Sequence, residues 1–138
     1  MKIVVDANIF IASFKKNSLT RKILMYPFIE FYSPDYLIEE LEEHKEEIIK
    51  KAKIDEYTFK IILEILLENV VIVDHNNYKD MINSASSIVG DIDKDDIPYF
   101  ALAIKINADG IWSYDKKLMN QNKVKIFTTK ELINLIRI

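Results

Sequence analysis

The sequence predicts an α/β protein of three layers, α/β/α, built on a central parallel sheet. Three observations lead there. Short β-branched runs recur at KIVVD, VVIVD and KIFTT, bounded by polar residues. Between such runs lie longer stretches with apolar residues at helical spacing, as in Phe59, Ile62, Leu63, Leu66 and Leu67. Strands that alternate with helices pair in parallel, because each helix carries the chain back to the edge where the last strand began. With 138 residues, no repeat and no shift in composition, residues 1–138 are expected to form one domain.

KIVVD opens the chain as a buried strand ending on Asp6, and helical spacing follows from Asn8 to Phe14. Ser18 is placed to cap a helix from Leu19 to Met25. FIEFYS reads as a short strand. Ser33-Pro34 then reads as a helix start, with serine at the N-cap and proline at the first helical position. The helix it opens runs through Leu37, Ile38, Leu41, Ile48 and Ile49, with an outer face of acids and lysines. Asp55 caps the next one. VVIVD is a strand ending on Asp74, and Tyr78 to Ile88 forms a modest helix. IPYFALAIKI is helical, with Pro98 in its first turn, where proline is tolerated. GIWSYD supplies another strand, KKLMNQ a short helical turn and KIFTT the last strand. Thr128 to Glu131 is a capping box, opening a final amphipathic helix from Thr129 to the C-terminus.

Hydrophobic residues make up 49% of the chain and charged ones 30%, the balance of a soluble globular protein. No apolar run approaches the roughly 20 residues that a membrane span needs. MKIVVDANIF has neither the long apolar segment nor the cleavage site of a secretory signal. There is no cysteine, which excludes disulfides and thiolate metal sites. The expected location is the cytoplasm, away from membranes. A net charge of -3 argues at face value against a nucleic-acid partner. Distribution matters more, because acids that hold a metal leave the rest of the surface near neutral. Cations gather at Lys15, Lys16, Arg21 and Lys22, and again at Lys116, Lys117, Lys123 and Lys125.

Four acids stand at or just after apolar runs: Asp6, Glu40, Asp96 and Asp115. In an open α/β sheet, sites form outside the carboxyl ends of the strands. Asp6 and Asp115 belong to that edge. Asp96 falls in the first turn of the helix that follows Asp93. Glu40 shares a helix face with Leu37 and Leu41 and so points inward, whereas Glu39 and Glu43 are better placed for solvent. Glu39 remains its competitor. Converging carboxylates repel and raise one another's pKa unless a cation compensates. Magnesium and manganese prefer oxygen ligands, so an acidic pocket of this kind suits Mg2+ or Mn2+ and hydrolysis of a phosphodiester.

Each acid also has a structural reading, as a helix cap or as a partner of the helix dipole. Asp74 repeats the strand-end pattern of Asp6, so the pattern alone is weak and the joint set carries the weight. Asp91, Asp93 and Asp95 mimic the opening of a calcium loop, but Asp96 stands where that loop needs glycine and Leu102 where it needs glutamate. His44 and His75 read as surface residues. Phosphate loops, HExxH and GxSxG elbows are absent from the sequence.

VDANIFIAS, SPDYLIEEL and DKDDIPYFALAIKINADGIWSYDKKL together resemble, in order and context, the motifs of the PIN-domain nucleases, among them the VapC-like ribonuclease toxins. The resemblance covers nearly the whole chain. It assigns Asp6, Glu40, Asp96 and Asp115 to metal holding and catalysis, with Asn8, Asp93 and Ser113 in support. It implies an α/β/α fold, Mg2+ or Mn2+, and endonucleolytic cleavage of RNA. It also implies, for small stand-alone members, a toxin with an antitoxin partner that acts as a homodimer. Lys15, Lys16, Arg21 and Lys116 would contact phosphates, an assignment resting on their nearness in sequence to the motifs. The two strong helices between Glu42 and Glu68 exceed what the fold requires.

The alternative is a non-catalytic PIN-fold module that binds RNA or protein. The complete acidic set argues against it, since a site released from turnover should have lost at least one acid. A phosphotransfer receiver domain would use Asp74 as its acceptor, but Asp6 lacks the acidic neighbour that such sites employ.

Overall fold

The structure, a computed structural model, describes residues 1–136. Its sheet has five strands: β1 (Lys2–Val5), β2 (Glu30–Pro34), β3 (Val70–Val73), β4 (Gly110–Trp112) and β5 (Ile126–Phe127). Their order is β3-β2-β1-β4-β5 and every pair is parallel. Ile3, Val4 and Val5 of the central strand are all fully buried. Successive strand residues point to opposite faces, so both faces of β1 are covered, which is why the strand reads as continuously apolar. The expected three-layer architecture is present.

The covering helices are α1 (Ala7–Ala12), α2 (Leu19–Leu24), α3 (Tyr36–Glu43), α4 (Lys45–Ala52), α5 (Glu56–Glu68), α6 (Ile82–Val89), α7 (Ile97–Lys105) and α8 (Thr129–Ile136). Ser18 and Asp55 cap α2 and α5 through their side chains. The predicted capping box forms reciprocally: Thr128 Oγ1 accepts from Glu131 N at 3.1 Å, and Glu131 Oε1 accepts from Thr128 N at 3.2 Å. The final two residues of the predicted last helix lie outside the described residues. Among the described residues no helix is long and apolar enough to cross a membrane.

Aromatic residues knit the layers. Trp112 is fully buried, its ring 5.9 Å from that of Phe31, and its Nε1 donates to Thr129 Oγ1 at 3.0 Å. Phe14 and Phe59 stack at 4.8 Å, fastening α5 to the turn after α1. Gly110 begins β4 where a Cβ would lie 2.5 Å from the Phe127 ring, so only glycine lets β5 approach that closely.

Three local expectations are corrected. Ser33-Pro34 does not open a helix; both residues end β2, and Asp35 takes the N-cap position of α3 without a side-chain capping bond. Strand pairing overrides the local signal, with Ser33 beside Ile72 and Pro34 beside Val73. Asp35 instead accepts from His75 N at 3.0 Å and from the Tyr78 hydroxyl at 2.7 Å, tying the start of α3 to the end of β3. The single helix expected through Ile49 breaks at His44 into α3 and α4, which lets the apolar residues of both halves reach the core. The helix expected from Tyr78 starts only at Ile82, after two 3₁₀ turns.

Candidate metal centre and active site

The chain leaves β1 toward β2 and β3 on one side of the sheet, while β4 and β5 lie on the other. The crevice beyond the carboxyl ends of β1 and β4 is therefore the switch point of the sheet, where α/β proteins build sites. Asp6 leaves β1 there, and Ser113 and Asp115 leave β4 there.

Asp6 is 4% exposed and caps α1, its Oδ1 accepting from Ile9 N at 3.1 Å. Asp115 caps the 3₁₀ turn Lys116–Asn120, its Oδ1 accepting from Lys117 N at 3.0 Å. Capping thus orients both carboxylates and uses one oxygen of each. Asp93 caps a second turn, Lys94–Asp96, and Asp96 follows at the N-cap position of α7 without a capping bond of its own. Asp96 thus lies in the first turn after Asp93, as expected, a 3₁₀ turn that leads directly into α7. Glu40 comes from α3, and the hydroxyl of Tyr99 on α7 donates to its Oε1 at 2.6 Å.

These side chains line one cavity of about 140 Å³, shared by Asp6, Asn8, Glu40, Asp93, Asp95, Asp96, Tyr99 and Asp115. Asp93, Asp96 and Asp115 each bring a carboxylate oxygen within 4.8 Å of the others. Asn8 is exposed at the rim. Ser113 is buried behind the cavity. Its hydroxyl accepts from Asp115 N at 3.0 Å and lies close enough to Asp6 to lower that carboxyl's pKa, so it links the ends of the two central strands. Glu39, the competitor of Glu40, is exposed and outside the cavity.

Burial and mutual repulsion raise three carboxyls of the cavity. Burial pushes the Asp6 carboxyl up to about 6, opposed in part by the nearby Ser113 hydroxyl. Burial lifts Glu40 to about 7, against the pull of the Tyr99 hydroxyl. Asp96 rises to about 8, through burial first and then the charges of Asp6, Asp93, Asp115 and Glu40. Among the described residues no lysine, arginine or histidine lines the cavity. An all-oxygen donor set whose members raise one another's pKa fits a hard divalent cation.

Sequence reasoning passed over Tyr99 and Asp95. Tyr99 reads as core within an apolar helix, yet it stands three residues after Asp96 and so shares its face. Asp95 accepts from the Tyr36 hydroxyl at 3.3 Å and lies at the rim. Asp74 stays outside, capping its own turn through Asn76 N. Of the basic residues, Lys15 lines a neighbouring cavity with Asn8 and Tyr114. Lys16 and Lys116 are exposed, and the Arg21 guanidinium donates to the Ser13 carbonyl at 3.1 Å, bracing the turn between α1 and α2. His44 lies 3.7 Å from Glu47 at the α3–α4 junction, and His75 is on the surface.

A family model described as a PIN domain matches residues 4–135. No curated protein matches the chain at a significant level. Among solved structures, the chain is similar in fold to one from the crystal structure of VapBC2 from Rickettsia felis bound to a DNA fragment from their promoter. The TM-score is 0.69 at 16% identity, over 93% of this chain and 98% of that one.

Proposed function

The chain belongs to the PIN-domain family, and from that premise we propose that it is a metal-dependent endoribonuclease, holding Mg2+ or Mn2+ between Asp6, Glu40, Asp96 and Asp115. The observation that carries this is the acidic cavity, in which three carboxyls are raised well above their ordinary values and no basic side chain among the described residues lines the wall. When bound, the ion would supply activation of a water and charge stabilisation at the phosphoryl oxygens.

The chain's own residues orient and hold. Ser113 and the caps of α1 and the Lys116 turn fix Asp6 and Asp115. Tyr99 holds Glu40 Oε1 and so fixes the carboxylate that would help hold the ion. Asn8 at the rim orients water or phosphate, and Asp93 completes the acidic wall. Lys15 and Lys116, which line neighbouring cavities, together with Lys16 and Arg21, would supply cations for the RNA backbone.

The proposal extends to a cytoplasmic toxin of a toxin–antitoxin pair that acts as a homodimer. Its support is the fold shared with the VapBC2 chain and an exposed apolar stripe on α5 at Tyr57, Ile61 and Ile65, where a protein partner would bury surface. Growth arrest on expression, relieved by a neighbouring gene product, is the matching cellular test. The activity itself is tested by incubating single-stranded RNA with Mn2+ and the wild type, Asp6→Asn or Asp96→Asn. Loss of cleavage in both variants with their melting transitions retained is expected; cleavage retained in both would end the proposal.

A further inference from the structure

Two more cavities flank the acidic one, and they differ from it in charge. The first, about 260 Å³, shares Asn8 with the acidic cavity and is lined by Lys15, Lys51 and Tyr114 among apolar residues of α1 and α4. The second, about 480 Å³, is also lined by Tyr114 and carries Lys116 and Lys130. Among the described residues no acid lines either of them. Tyr114 belongs to both and is 50% exposed, one residue before Asp115. An exposed aromatic ring shared by two largely apolar hollows, each edged by two lysines, suits a single nucleic-acid strand: phosphates meet the lysine ammonium groups, and an unpaired base stacks on the ring.

We propose that a single-stranded RNA segment crosses Tyr114, from the Lys15–Lys51 cavity to the Lys116–Lys130 cavity, with one unpaired base stacked on its ring. This rests on the ribonuclease reading only for what happens to the phosphodiester lying over the acidic cavity. A duplex cannot use the track, because its bases are already stacked on one another. Lys51 pairs with Glu47 at 2.7 Å, but at 67% and 57% exposure that surface pair is weak and yields readily to a phosphate. The track also accounts for how an acidic protein holds an anion at an acidic cavity. The attraction comes from the two sides, and the centre is left to the cation.

The test is the affinity of a fluorescein-labelled single-stranded RNA octamer, read by anisotropy on the otherwise wild-type protein with Ca2+ in place of Mg2+ and the octamer checked intact on a gel afterwards. Tyr114→Ala should weaken binding about 5- to 100-fold and Tyr114→Phe should restore it, since stacking needs the ring and not the hydroxyl. Lys51→Ala and Lys130→Ala should each flatten the dependence of log affinity on log salt by about 0.7. Unchanged binding in Tyr114→Ala, failure of Tyr114→Phe to restore it, equal affinity for a blunt duplex, or no binding by the parent would each overturn the track. If Tyr114-dependent binding appears but the wild type never cleaves, the ribonuclease reading falls and the track stands. If the wild type cleaves and Tyr114→Ala cleaves and binds equally well, the track falls alone.

Discussion

Ser33 Oγ donates to the carbonyl of Val5 at 2.6 Å, taking the place of a backbone donor that Pro34 cannot supply. In the ladder between β1 and β2, Glu30 N donates to Met1 O, and the two-residue repeat brings position 34 opposite Val5 O. Proline has no N–H, and the buried serine fills the gap one residue before Asp6. The Ser-Pro pair that mimics a helix cap is thus a repair of the sheet beneath the acidic site.

Ser33→Ala leaves the buried Val5 carbonyl unpaired and should cost about 1–3 kcal/mol in urea unfolding. Pro34→Ala returns an N–H to the ladder, so Ser33→Ala should cost clearly less in that background. An equal cost in both backgrounds would contradict the substitution of one donor for the other.

Without metal, stability should fall as pH rises from about 5 to about 8. Asp6, Glu40 and Asp96 have folded-state values of about 6, about 7 and about 8, above their ordinary 3.8, 4.5 and 3.8. Groups raised on folding bind protons more tightly in the native state, so their contribution is full below the ordinary value and lost as pH passes the folded one. Melting curves across this range check the slope. Mn2+ should raise the melting temperature more at pH 8 than at pH 5, because only then are the carboxylates free of protons. A metal effect that is equal at both would argue against these acids as its ligands.

Tyr99→Phe keeps the ring that fills the core and removes the donor to Glu40 Oε1. Partners that orient metal ligands are typically worth about 10- to 100-fold in metal affinity, so Mn2+ titration should show a loss of that order with the fold intact. Wild-type affinity in this variant would reduce Tyr99 to packing.

Much of this arrangement is written locally. Acids follow β1 and β4 because apolar runs stop where the sheet stops: Asp6 directly after Val5, and Asp115 three residues after Trp112. Helical spacing alone prefers Glu40 to Glu39, and the structure puts Glu40 in the cavity and Glu39 in solvent. The obscure parts are those decided by partners distant in sequence. Ser33 needs Val5, Glu40 needs Tyr99 at a separation of 59 residues, and the break at His44 follows from packing two helix halves on one core. Tyr114 looks like one more strand aromatic until the two cavities it lines are seen.

The most direct test of the acidic cavity as a metal-dependent catalytic centre measures Mn2+ binding and RNA cleavage on the same samples. Cleavage by the wild type should rise with Mn2+ occupancy and vanish in EDTA, and Asp96→Asn should lose both binding and cleavage while remaining folded. Cleavage that persists in EDTA, or an Asp96→Asn protein that binds Mn2+ and cuts RNA as the wild type does, would contradict it.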